Sequence, residues 1–154
     1  MAYNAEDAAQ TLKWIRGLPE PEGASPIILQ AVKKLPRQLD RVDPDSYANY
    51  LSDGLLFGYL MSALDSGMLA KLQAMKTWGK PFLPYMEQVL QNKRIEVFLQ
   101  YAKAVGVDPN MLFTPDDLRN HENLGKVVNC MILLSQLTNK KTNISNVLGQ
   151  TLFN

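Results

Sequence analysis

The chain is poor in the residues on which most site chemistry depends. It holds one cysteine and one histidine among 154 residues. A lone cysteine excludes an internal disulfide and fits a reducing compartment; Cys130, inside the apolar run "VVNCMILL", reads as a core thiol. One imidazole cannot build a multi-histidine metal site, and His121 sits in the polar phrase "RNHENL", which reads as a solvated loop. An excess of one charge sign is also missing. Sixteen basic residues face 15 acidic ones, leaving +1, so no general pull toward nucleic acid or an anionic membrane is expected, although a local basic patch is compatible with that balance. No apolar run approaches the roughly 18 residues of a membrane-spanning helix. The N-terminal "MAYNAEDAAQTLKWIRGL" has early acids and no apolar h-region, unlike a signal peptide. Strand signals are scarce, with neither useful period-two alternation nor an Asn-Gly hairpin turn. In a cytosolic chain the glycosylation triplet Asn143-Ile144-Ser145 carries no weight.

What remains is helix. The composition, 46% hydrophobic and 20% charged, suffices for one domain with a true core. Asn4 can cap a first helix whose face is Ala8, Leu12 and Ile15, stopped by Gly17 with Pro19 beyond. Ser25-Pro26 opens a second, with Ile28, Ala31, Val32 and Leu35 as its stripe. Asp43-Pro44 opens a third. Its face includes Tyr47, Tyr50, Leu51, Leu55 and Met61, and Gly54 and Gly58 share that face four apart. An interior helical glycine costs about 1 kcal/mol relative to alanine, so the pair predicts close packing against another helix. Residues 65–84 read as a loop with one short helix, anchored by Trp78 and Phe82. The period returns from Tyr85 to Val105, with Gly106 as C-cap.

Residues 106–130, "GVDPNMLFTPDDLRNHENLGKVVNC", carry three helix starts in close succession. Asp108-Pro109 and Thr114-Pro115 are cap-proline pairs, and Asn120 or Asn123 can open the next helix. Such short helices are unstable alone. The spacing therefore predicts two turns that clip two long helices together, with Met111, Leu112, Phe113 and Leu118 plugged into the core. The last long segment, through Leu134, is apolar on most sides and reads as a central helix. Beyond it, residues 139–154 read as a polar tail or linker.

The acids of the clip are caps on this reading. A calcium loop needs oxygen at its fifth position and glycine at its sixth; counted from Asp108 these are Leu112 and Phe113. No glycine-rich phosphate loop follows a strand and no G-x-S-x-G occurs, so neither an enzyme, a metal nor a cofactor is expected. The basic clusters stay open to two readings. Lys33, Lys34, Arg37 and Arg41 crowd one segment against Asp40 alone, with smaller pairs at Lys93-Arg94 and Lys140-Lys141. Each is either a solvated face or a contact for an acidic partner.

Across residues 5–138 the order of motifs resembles a calponin-homology domain. The run "RIEVFLQYAKAVGV", then Leu112-Phe113, Asp117-Leu118, Asn123 and "KVVNCMILL", is similar to that family's second half. "YANYLSDGLLFGYLMSAL" is similar to its first half, with Asp53-Gly54 on the family's Asp-Gly and Trp14 at the place of a core tryptophan. The chain departs from the pattern at residues 84–92, an apparent insertion, and at Lys93-Arg94, where relatives have Glu-Asn.

The resemblance implies an all-α fold of four main helices with shorter ones between, spanning 1–138. Its core would include Trp14, Gly54, Leu55, Phe98, Leu99, Phe113, Leu118, Val128 and Met131. It implies a non-catalytic, monomeric, cytoplasmic and cytoskeleton-associated binding module. The partner would be F-actin, contacted weakly or indirectly, or another domain in signalling. The alternative is the N-terminal regulatory domain of a longer protein such as a Rho guanine-nucleotide exchange factor; a microtubule-binding role ranks third. Mapped from actin-gripping relatives, the contact residues would be Lys13, Arg16 and Lys126, while Lys33, Lys34 and Arg37 form the densest positive charge. Neither nucleic acid nor a membrane span is expected.

Overall fold

The computed structural model describes residues 2–153, with side chains through 139. The Lys140-Lys141 pair, the Asn143 triplet and the side chains of the expected tail lie outside the described residues. The described chain is helical throughout, without strands. Its helices are α1 (Ala5–Gly17), α2 (Pro26–Lys33), α3 (Pro44–Leu51), α4 (Leu55–Leu64), α5 (Ser66–Gln73), α6 (Glu87–Val105), α7 (Pro115–Arg119) and α8 (Leu124–Phe153). Single 3-10 turns stand at Lys76–Trp78, Pro84–Met86 and Pro109–Met111.

Several starts follow local capping chemistry, although Ser25, expected to cap α2, makes no side-chain bond there and Pro26 alone marks that start. Asn4 accepts the Asp7 N–H at 2.8 Å, and Asp43 accepts both the N–H (3.0 Å) and the hydroxyl (2.7 Å) of Ser46. Those bonds favour the ionised form and hold the Asp43 carboxyl below its ordinary value. Residues 65–84 contain the one short helix expected, α5. Residues 84–92, the apparent insertion, form a 3-10 turn and the first turns of α6.

The segment after Asp43 is two helices where a continuous periodic face was expected. Asp53 accepts the Leu55 N–H at 2.9 Å, and Gly54 takes φ +79°, a left-handed conformation that breaks the helix. Gly54 is thus the N-cap of α4, and of this pair only Gly58 is an interior helical glycine.

Helix α4 is the centre of the domain. All of residues 55–62 are buried, and the helix packs against α2, α3, α5 and α6. Helix α8 buries Leu124, Val127, Val128, Cys130, Met131 and Leu134, but Ile132 and Leu133 are only half-buried. It closes one side of the core, against α1, and is less central than its composition suggested. Phe57 from α4 stacks on Phe98 from α6 at 4.2 Å, and Phe113 from the clip lies 6.1 Å from Phe57. Leu118 is fully buried, so the clip is plugged in by Phe113 and Leu118. Met111 is instead 40% exposed. Leu99 and Trp14 pack on the core while half-buried, Trp14 at the edge of the α1 stripe. Trp78 is buried, but Phe82, expected beside it as an anchor, is 96% exposed.

Gly58 lets Trp78 reach α4. A Cβ built there would stand 2.7 Å from the ring carbon Cζ3 of Trp78. Gly58→Leu should therefore overpack the core and lower stability by about 1–3 kcal/mol. Chemical denaturation reads this directly; a rise in stability, the usual result of removing an exposed helical glycine, would contradict the packing.

Candidate partner-binding surface

The basic residues fall into two groups by what already holds them. Lys13 lies 3.6 Å from Asp40. Arg16 donates to the carbonyls of Pro36 (2.5 Å) and Arg37 (3.1 Å), tying α1 to the chain beyond α2. Lys126, in the first turn of α8, is half-buried. Arg16 and Lys126 are thus partly committed to the fold or to burial, while Lys13 is exposed and keeps only a surface pair.

Lys33, Lys34 and Arg37 are exposed at the end of α2 and just after it. Lys34 lies 3.8 Å from Asp53, a loose surface pair worth little. It also lines an open groove of about 530 Å³ with Ser25, Ile27, Leu55 and Lys80. Lys80 thus joins the α2 cluster across that groove, which sequence reasoning missed because the two lysines lie far apart in the chain.

Lys93-Arg94, read as a surface pair, is divided. Lys93 is exposed, whereas Arg94 has no exposed surface. Its Nε donates to the carbonyl of Thr77 at 2.8 Å. Its Nη1 donates to the carbonyl of Asp53 and to Glu87 Oε1, each at 2.8 Å, and its Nη2 to the carbonyl of Gly79 at 3.1 Å. The planar guanidinium suits such a fork of acceptors. Arg94 is a structural hub and leaves the list of contact residues.

The acids of the clip are engaged as caps. Asp108 accepts the Asn110 N–H at 2.8 Å. Thr114 and Asp117 form a reciprocal capping box, with bonds of 2.9 and 3.2 Å, and Asn123 accepts the Lys126 N–H at 3.1 Å. Asp108→Ala and Thr114→Ala should each cost about 1 kcal/mol, with a melting curve indifferent to calcium. A calcium-dependent gain in melting temperature would reveal a metal site instead. His121 is exposed and places Nδ1 3.2 Å from Asp45. Burial pushes the Cys130 thiol up to about 11, away from nucleophilic use.

One surface has no counterpart in the sequence reading. Among the described residues the exposed large hydrophobics are Met75, Phe82, Leu83, Tyr85, Met86, Val89 and Met111, and all but Met111 lie within residues 75–89. The signal was available in part: Tyr85 and Val89 are one turn apart, off the buried stripe of α6.

The clip acids and the buried arginine are committed to holding helices, while the α2 lysines and this apolar cluster are open to solvent. Residues 6–140 match the profile of the calponin homology (CH) domain, and the chain belongs to that family. Domains of this family are in general non-catalytic protein-binding modules of the actin cytoskeleton and of signalling proteins. Searches of curated proteins and of solved structures returned no match.

Proposed function

We propose that the domain is a monomeric, cytoplasmic module of the actin cytoskeleton that makes weak electrostatic contact with the acidic surface of F-actin through Lys33, Lys34 and Arg37. The observation that supports this surface over Lys13, Arg16 and Lys126 is the exposure of the α2 cluster and its extension by Lys80 across the groove. With a net charge of +1, the attraction is local and therefore easily screened. The screening length falls from about 30 Å at 0.01 M salt to about 8 Å at 0.15 M. Cosedimentation with F-actin should give modest binding at low salt and little at physiological salt. Lys33→Glu with Lys34→Glu should abolish the low-salt binding, while Lys13→Glu with Lys126→Glu should leave most of it. The reverse pattern would move the contact to the family-mapped face. Tight, salt-insensitive binding contradicts the electrostatic reading, and no binding even at low salt favours a regulatory module within a larger signalling protein.

A further inference from the structure

The apolar cluster at residues 82–89 lies in a long basic part of the chain. From the start of α5 through Arg94 there are five basic residues, Lys71, Lys76, Lys80, Lys93 and Arg94, against the single acid Glu87. That span carries +4, so the remainder of a chain at +1 carries −3. Arg94 and Glu87 are bonded to each other, which leaves four lysines and no free carboxylate in the span.

The apolar side chains stand out from the surface. Phe82 is 96% exposed, Tyr85 74% and Val89 64%. Pro81 and Pro84 flank Phe82 and Leu83 and fix two backbone torsions of the turn. Tyr85, Val89 and Lys93 recur at four-residue spacing, so they share a face of the turn and helix that follow. Lys80 stands two residues before the tip. A projecting apolar tip suits a partner that encloses it, and lysines near it in sequence suit one that is anionic.

We propose that this ridge docks the domain peripherally on an anionic lipid bilayer, with Phe82, Leu83, Tyr85, Met86 and Val89 entering the interface and Lys76, Lys80 and Lys93 meeting the headgroups. A bilayer interface encloses a projecting side chain without a preformed pocket. It takes an aromatic ring with a polar end, such as Tyr85, at headgroup level. Apolar insertion combined with basic residues is the usual arrangement of peripheral attachment. No helix among the described residues is long and apolar enough to cross a membrane, so the attachment is to one surface. This goes beyond the filament reading and shares only Lys80 with it.

The test is cosedimentation of the domain with vesicles of phosphatidylcholine carrying about one third phosphatidylserine, against pure phosphatidylcholine and F-actin. Between the two vesicle types, binding is expected only to the one that carries the serine lipid. Phe82→Ser with Tyr85→Ser should weaken it at least about tenfold. Lys80→Gln with Lys93→Gln should weaken it about twenty-five-fold, at roughly fivefold per lysine. The altered side chains are all exposed, so the melting temperatures should not move. Absence of vesicle binding, equal binding to pure phosphatidylcholine, or serine variants that bind like the parent would each overturn the proposal. Loss of F-actin binding in the Phe82 variant without any vesicle binding would assign the ridge to an acidic protein surface. Loss of F-actin binding in the Lys33 and Lys34 variant alone bears only on the filament reading.

Discussion

Arg94→Met should destabilise the domain by about 3–5 kcal/mol. Methionine fills much of the same volume and keeps the aliphatic stem, so the loss is polar. Removing the guanidinium leaves the carbonyls of Asp53, Thr77 and Gly79 without this donor and Glu87 without its partner. An unsatisfied buried acceptor costs about 1–3 kcal/mol. The Glu87 side chain is one-third exposed and can rehydrate, which keeps the total below the sum of the four contacts. Such a loss is a large share of the roughly 5–15 kcal/mol that holds a domain folded. Urea denaturation should show a lower midpoint with an unchanged slope. Arg94→Lys should recover little, because an ammonium cannot span acceptors arranged around a planar fork. A loss below about 1 kcal/mol for methionine would show that the four bonds are replaced by water at little cost.

Gly54→Ala should cost about as much, roughly 3–4 kcal/mol, for a different reason. At φ +79° an L side chain costs about 1–2 kcal/mol. In addition, the new methyl would stand 2.5 Å from Cβ of Arg94 and 3.4 Å from the carbonyl oxygen of Gln91. A Cβ is fixed to its backbone, so relief requires α4 and α6 to separate. Arg94→Met does not remove that Cβ. The steric part of the Gly54→Ala penalty should therefore persist in the double variant, and only glycine at 94 should relieve it. Thermal melts of the single and double variants decide this; a Gly54→Ala protein as stable as the parent would refute the close approach.

Helix starts were legible in the sequence because capping is local: Asn4, Asp43, Asp108, Thr114 and Asn123 each bond a backbone N–H two or three residues ahead. The break at Asp53-Gly54 was hidden because Leu51 and Leu55 continue the period across it, and period alone does not detect one left-handed residue. Arg94 was misread by its neighbour Lys93. Its helical phase, four residues before Phe98, would have placed it on the buried stripe. Phe82 was misplaced because a loop has no period from which to infer an inward face. The commitments of the surface cations were illegible for a simpler reason. Lys13 to Asp40, Lys34 to Asp53 and Arg16 to Pro36 join residues far apart in sequence, and only the fold creates those distances.

The single cation at the hub also governs how the chain ahead of α6 comes loose. Thr77 and Gly79 are fastened to α6 and to the turn between α3 and α4 by one side chain. From Lys80 to Met86 no residue is buried. Residues 76–87 thus constitute a unit that opens by releasing one guanidinium and withdrawing the Trp78 ring from Gly58, while the rest of α4 remains closed. Its amides should exchange with deuterium through that sub-global opening, well before those of α4, and limited proteolysis should cut there first. The surface ridge is therefore mounted on a part of the molecule held to the core chiefly by one guanidinium and one indole.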